Sequence, residues 1–282
     1  MTAARVIVTR PAREAAHWVA QLGAHGISAA ALPLIAIAPC TDPAAQQALR
    51  AARAQLAHQR PPYRALMFVS SNAVAHFFAS DEGLLAPAAQ ALGATKTRAW
   101  APGPGTACAL LQAGIARQCI DRPAPEAAQF DSRALWQQVA AQVRPGDRVL
   151  IVHGHSRDAP ASAQDHQSRQ SQQGRDWLAR QIGAAGGQVQ WLPAYERSAP
   201  RLSAAELTLA RQAAQDGSVW LLSSAEALAH LATALPAQRW TAAQALATHP
   251  RIAQAARAAG FGRVRECRPA LREVLASIES AA

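Results

Sequence analysis

What most constrains this chain is a pattern that recurs along it: a short apolar run without polar alternation, a turn of small or hydroxyl-bearing residues, then a helical segment. Arg5-Val-Ile-Val-Thr9 opens the series, and Arg10-Pro11 leads into a periodic stretch to about His25, with Gly26 as the helix-ending glycine. An extended apolar segment, Ala29–Ala38, follows. Ala65-Leu-Met-Phe-Val69 runs into Ser70-Ser71-Asn72 and a helix over Ala73–Ala79. Thr97-Arg-Ala-Trp-Ala101 runs into Gly103-Pro104-Gly105-Thr106 and a helix ending at Gly114. Asp147–Val152 leads to His153-Gly154, and Val189–Leu192 and Val219–Leu222 continue the series. The last of these enters Ser223-Ser224-Ala225-Glu226, where Ser223 and Glu226 have capping-box spacing. Ala245–Ala247 then precedes His249-Pro250-Arg251 and a helix ending near Gly260. Apolar runs of this kind belong to strands covered on both faces, and strands separated by helices belong to parallel sheets. The expected class is therefore α/β.

At 282 residues the chain is long enough for two domains. Half its residues are hydrophobic and 16% charged, which excludes a disordered chain. No apolar run approaches the roughly 20 residues of a membrane span, so no membrane association is expected. The apolar stretch before Arg10-Pro11 is too short for a secretory signal, and a cytoplasmic protein is expected. Cys40, Cys108, Cys119 and Cys267 are scattered without metal-ligand or disulfide spacing, so no metal site is expected. Leu32-Pro33 reappears as Leu192-Pro193 and Ser70-Ser71 as Ser223-Ser224, which reads as a drifted internal duplication. The polar segment from His155 to Gly174 has no helix or strand pattern and reads as a mobile surface insertion.

Lys96 is the only lysine among 28 basic residues, leaving 27 arginines and a net charge of +10. Such a chain draws anions, and guanidinium groups favour carboxylate or phosphate by forked hydrogen bonds. An alanine- and arginine-rich composition is equally the mark of coding bias. The arginines form no dense run, and no basic and aromatic residues interleave, which argues against nucleic acid.

The turns Thr9-Arg10, Ser70-Ser71-Asn72, Gly103–Thr106 and Ser223-Ser224 each follow a strand and open a helix. Ligands of open α/β sheets bind beyond the carboxyl ends of the strands, where helix N-termini offer free N–H groups to anions. The same residue types are also the commonest N-caps, and each site taken singly reads either way. Gly103-Pro-Gly105 lacks both phosphate-loop patterns, and no Gly-x-Ser-x-Gly elbow is present. Tyr195, one of two tyrosines, lies in the proline-bounded segment Pro193–Pro200. There it is either a proton donor to a departing oxygen or an amphipathic residue at a domain seam. The nine histidines show no metal-ligand spacing and read mostly as surface or satisfied core residues.

In their order and spacing, Val8–Pro11, Leu32–Ile35, Phe68–Val74, Gly103–Ala107, Arg175–Leu178, Tyr195–Arg197, Leu222–Ser224, His249–Ala253 and Ala258–Phe261 resemble the uroporphyrinogen-III synthase family of tetrapyrrole biosynthesis. The chain departs from the family pattern at His249-Pro250-Arg251, where many relatives carry a Gly-Pro-Thr-like turn, and in the polar insertion that separates Gly154 from Arg175. The resemblance implies two flavodoxin- or Rossmann-like α/β domains of parallel sheet joined by a two-stranded β connector, with substrate in the cleft between them. On that reading residues 1–36 and 197–282 form a discontinuous domain, 39–192 form the other, and the connector strands lie near 33–38 and 193–199. It further implies a monomeric cytoplasmic lyase of haem biosynthesis that uses no metal or cofactor. Such an enzyme closes linear hydroxymethylbilane into uroporphyrinogen III, with loss of water and inversion of ring D through a spiro intermediate. Its partners are that polycarboxylate and, transiently, the preceding enzyme of the pathway.

Carried over residue by residue, the resemblance makes Tyr195 the catalytic residue that aids departure of the hydroxyl. Thr9, Arg10, Ser70, Ser71, Asn72, Gly103, Thr106, Gly154, Arg175, Arg197, Ser223, Ser224, His249 and Arg251 become the substrate-binding set. The competing expectation is a non-catalytic two-domain binder of a polyanionic small molecule.

Overall fold

The computed structural model describes residues 4–56, 62–79, 87–157 and 169–280, and the side chains of residues 87, 88, 93 and 169–175 lie outside that description. The chain divides into two compact units, Met1–Ala36 with Ser198–Ala282, and Ile37–Arg197. Each is α/β and built on its own sheet.

The discontinuous unit holds strands β1 (Val6–Val8), β2 (Ala29–Ala31), β9 (Val219–Leu222), β10 (Gln244–Ala247) and β11 (Arg263–Glu266), in the order β11-β10-β9-β1-β2 and parallel throughout. Successive strand residues point to opposite faces. Val6, Val8, Val219, Leu221 and Leu246 pack with Ala15 and Leu22 of helix α1 (Ala12–Ala24) and Val274 of α11 (Leu271–Glu279). Trp220 points the other way, edge-on to Trp240 at 5.2 Å and Phe261 at 6.0 Å. Its indole N–H donates to the Ala213 carbonyl at the end of α8 (Ala204–Ala213), 3.1 Å away.

The second sheet runs β3-β8-β7-β4-β5-β6, from β3 (Ala36–Pro39), β4 (Ala65–Phe68), β5 (Arg98–Trp100), β6 (Ile120–Asp121), β7 (Arg148–Ser156) and β8 (Gln188–Ser198). The pairings of β4 with β5 and β7, of β5 with β6, and of β7 with β8 are parallel. Leu66, Phe68, Leu150 and Val152 face a core completed by α2 (Pro43–Leu56), α3 (Ser71–Phe78), α4 (Pro87–Ala94) and α5 (Pro104–Gln112). Ala65, Met67, Val149 and Ile151 face the other core, under α6 (Ser132–Val139) and α7 (Arg169–Ala184). With both faces covered, a strand has no polar position to show, and this is why Ala65–Phe68 reads as an unbroken apolar run.

Several boundaries differ from those the sequence predicts. The apolar stretch Ala29–Ala38 is two strands, β2 and the start of β3, separated by a buried irregular turn at Leu32 and Leu34. The strand predicted over Val189–Leu192 and the connector strand predicted near 193–199 are one continuous β8, with β3 as its sheet neighbour. Likewise β7 runs on through His153-Gly154 to Ser156. A register slip between His153 and Gly154 reconciles the pair: His153 stands opposite Pro193 and Gly154 opposite Tyr195, leaving Ala194 as the extra residue. A bulge is where a proline, which has no N–H to give the ladder, is tolerated inside a sheet. Of the polar segment His155–Gly174, residues 158–168 lie outside the described residues, and α7 already begins at Arg169. The N-cap of α9 (Ala225–Ala234) is Ser224, whose hydroxyl accepts from the Glu226 N–H, rather than Ser223 in a capping box. The capping box that does form is Ser203 with Glu206, at the start of α8.

Near its end β8 carries Glu196, whose buried carboxylate accepts from both the N–H and the hydroxyl of Thr41, each at 2.7 Å. These two bonds hold its pKa below the ordinary value of 4.5, with a smaller contribution from Arg157 at 3.8 Å. A depressed folded-state pKa gives stability that is complete above the ordinary value and lost as pH falls through the folded value. Glu196→Gln should therefore flatten the acid limb of a stability profile below pH 4.5, and superimposable acid limbs for parent and variant would contradict the assignment. Trp220→Ala should lower the stability of the discontinuous unit by about 3–5 kcal/mol in denaturant titration, and a loss below about 1 kcal/mol would show that Trp220 is not the centre of its core.

Candidate functional site

Because β4, β5, β7 and β8 are parallel, their carboxyl ends share one edge of the sheet. Ser70 leaves β4 there, extended, as the N-cap of α3, and its hydroxyl accepts from the Ala73 N–H at 3.1 Å. Gly103 is the N-cap of α5, with Pro104 in the first turn, where its missing N–H costs nothing. Thr106, on α5, is buried at 6% exposure. Ser71 and Asn72 open α3 and are half-buried.

Tyr195 comes to this edge on β8, directly after the bulge. It is only 2% exposed, and its phenol oxygen stands 3.0 Å from Ser70 Oγ. Two further residues shape its surroundings. Gly154, its partner across the β7–β8 ladder, leaves the room the ring fills: an added Cβ would overlap ring atoms Cζ and Cε2 and stand 2.9 Å from the phenol oxygen. His76, on α3, stacks on the phenol with ring centroids 5.4 Å apart and planes at 26°. Burial, and after it the Arg53 guanidinium, holds the His76 pKa below the ordinary histidine value, so the imidazole is neutral near pH 7. Arg53 also closes the far end of α3, donating to the carbonyls of His76 and Phe77 at 2.7 Å each.

The strand ends of the discontinuous unit are arranged differently. Thr9 is 1% exposed, and its hydroxyl donates to the Leu221 carbonyl at 2.8 Å, a tie between neighbouring strands. Arg10 pairs with Glu14 at 3.2 Å and lies over the Trp18 ring at 5.0 Å. Ser223 and Ser224 leave β9 half-buried, with Ser224 the cap of α9. His249 caps α10 (Pro250–Ala258) through Nδ1, which accepts from the Arg251 N–H at 3.2 Å. Arg251 itself is exposed. His230, on α9, has its Nδ1 at 2.7 Å from the Leu34 carbonyl.

Of the remaining sequence-predicted residues, Arg197 lies half-buried at the end of β8, and Arg175 falls in α7 with its side chain outside the described residues. The structure thus brings Ser70, Gly154 and Tyr195 into one hydrogen-bonded and packed group. Thr9 and Arg10 are engaged within their own unit. Among the described residues, no group of three or more His, Cys, Asp and Glu side chains is arranged to hold a metal ion. Sequence reasoning passed over His76 and Arg53. The signal available for His76 was its helical spacing from Asn72, one turn earlier on the same helix.

A family model described as uroporphyrinogen-III synthase HemD matches residues 16–161, more than half of the chain. The chain belongs to the uroporphyrinogen-III synthase family. The matched span includes the Ser70 and Gly103 turns and Gly154, whereas Tyr195, Ser224 and His249 lie beyond it. The fold is also similar to solved members. A uroporphyrinogen III synthase from the extreme thermophile Thermus thermophilus, crystallised as a mutant, aligns at TM-score 0.51 with 16% identity, over 99% of this chain and 97% of that one. The uroporphyrinogen-III synthetase of Helicobacter pylori 26695 aligns at TM-score 0.53 with 13% identity, over 99% of this chain and all of that one. At such identity the likeness is one of fold. It agrees with two α/β units built on mostly parallel sheets.

The close fit of Tyr195 against Gly154 generates a direct test. Gly154→Ala should destabilise the protein by about 1–3 kcal/mol through overpacking. The same substitution in a Tyr195→Leu chain should cost less than half as much, since the clashing ring atoms are gone. Equal costs in the two backgrounds would refute the contact.

Proposed function

We propose that this chain is a uroporphyrinogen-III synthase that closes linear hydroxymethylbilane into uroporphyrinogen III, a lyase reaction that eliminates water and inverts the last pyrrole ring. The observation that carries the reading is the family match over residues 16–161. The geometry of the second sheet supports it, with a phenol and a hydroxyl held 3.0 Å apart at a strand edge where helix N-termini collect.

The chemistry asks little of the side chains. Electron-rich pyrroles expel hydroxide readily: the hydroxymethyl C–O bond breaks, and the oxygen leaves as water once it has gained a proton. Tyr195 is the donor of that proton or hydrogen bond, and Ser70 holds its phenol oriented. The demanding step is regiochemical. The freed methylene carbon must bond to the substituted carbon of the last ring, giving the spiro intermediate that leads to the type III isomer. From the spiro intermediate the original bond between that carbon and its methylene bridge breaks, and the bridge rejoins the ring at its free α-carbon. That α-carbon gives up its proton, so that hydroxide and proton together leave as one water. Direct closure at the free α-carbon gives the symmetric isomer, so catalysis here is mainly a matter of orientation.

Each pyrrole carries an acetate and a propionate, so the substrate is a dense polyanion. Ser70, Ser71, Asn72, Gly103 and Thr106 of one unit, and Ser223, Ser224, His249 and Arg251 of the other, are the proposed receivers of its carboxylates. They act through hydroxyls, side-chain donors and the N–H groups of helix first turns. Gly154 serves through the room it leaves for Tyr195, while Thr9 and Arg10 support the strand end from within; Arg175 and Arg197 add positive charge. No helix among the described residues is long and apolar enough to cross a membrane. The protein is proposed to work as a cytoplasmic monomer that takes its substrate from the enzyme that makes it.

The deciding assay incubates purified protein with freshly prepared hydroxymethylbilane and resolves the isomers of the oxidised product. Type III product supports the reading, and type I alone, as forms spontaneously, overturns it. Tyr195→Phe should lower turnover by about tenfold or more while leaving the thermal midpoint within a few degrees, and parental turnover would remove the leaving-group role. KM should rise with ionic strength, because the recognised groups are carboxylates; a KM indifferent to salt would contradict ionic recognition.

A further inference from the structure

Tyr195 is fixed from three directions. Ser70 bonds its oxygen at 3.0 Å, Gly154 leaves the space its ring occupies, and His76 stacks on its face. The first two follow from residue types already singled out, whereas His76 has no part in the reading above. Yet it is the residue best placed to set the ring's orientation. A phenol bonded only through its oxygen still pivots about that bond, and a second flat ring packed on its face removes the pivot. The helix that bears His76 is itself held at both ends, by the Ser70 cap and by Arg53 on the carbonyls of His76 and Phe77. The imidazole is therefore presented to Tyr195 by a fixed element.

We propose that His76 is a positioning residue of this enzyme, whose ring face holds the Tyr195 phenol in register with Ser70. The proposal rests on the role of Tyr195 given under the proposed function. His76 acts through that phenol and touches no reacting atom. What matters is a flat ring of neutral charge, and the ring nitrogens are not required.

The test compares His76→Ala and His76→Phe. Loss of the ring in His76→Ala should lower kcat by about five- to tenfold with KM unchanged within about twofold, the scale of one aromatic pair. His76→Phe, which restores a ring, should recover kcat to within about threefold of the parent. In a Tyr195→Phe background, His76→Ala should lower kcat no further, because residues that act as one unit are not additive. A His76→Ala chain with parental kcat overturns the proposal, as does an equal loss in both backgrounds, which would mark a merely structural role.

A readout independent of turnover keeps this test separate from the identity of the reaction. The chain has two tyrosines, so labelling the phenol carbon Cζ with 13C gives two resonances, and Tyr63→Phe assigns them. His76→Ala should shift the Tyr195 resonance in the substrate-free protein, and His76→Phe should shift it less. An unmoved resonance in His76→Ala overturns the positioning role even if the enzyme makes type III product. Conversely, a parent that yields only type I product overturns the proposed reaction while the resonance still decides the role of His76.

Discussion

One contact between two hydroxyl groups, Ser70 Oγ to the Tyr195 phenol at 3.0 Å, joins the end of strand β8 to the cap of helix α3, and much of the second unit is arranged so that it can form. Tyr195 reaches the contact because the register slips by one residue after His153, which re-aims the strand. The ring has room because its ladder partner is Gly154. Ser70 reaches it because β4, apolar on both faces, is anchored in two cores and ends just before the cap. Two hydroxyls in a site of low exposure bond more strongly than they would in water, and each would be costly to leave unpaired. The contact therefore fixes orientation as well as adding stability.

The two units treat the same topological feature differently. In both, parallel strands deliver turns and helix N-termini to one edge. At the edge of the second sheet the Ser70 turn meets a phenol. In the discontinuous unit Thr9 ties β1 to β9, Arg10 is paired with Glu14 and stacked on Trp18, and Ser224 and His249 cap their helices. Capping and anion binding use the same N–H groups, and a cap side chain that swings away exposes them to a ligand.

The α/β class was legible because strands buried on both faces lose their polar alternation, and the short helices between them then leave no alternative to parallel sheets. The strand-end turns were legible for the same reason. Strand ends were not: Pro193 and Gly154 look like chain breakers in isolation, and only pairing across the ladder shows that a bulge lets β7 and β8 run past both. Spacing to Glu226 favours Ser223 as cap, whereas the Ser224 hydroxyl is the one that accepts from the Glu226 N–H. His76 shares a helix face with Asn72, but that spacing alone does not mark it out, and its meaning comes from a ring on β8 far away in sequence.

The central claim, that the Ser70–Tyr195 contact is an energetic link and not a coincidence of packing, is tested most directly by a double-mutant cycle on the substrate-free protein. Unfolding free energies of the parent, Ser70→Ala, Tyr195→Phe and the double variant give the coupling between the two hydroxyls. The expected coupling is about 0.5–1.5 kcal/mol, the net worth of an intramolecular hydrogen bond. Strictly additive losses would contradict it.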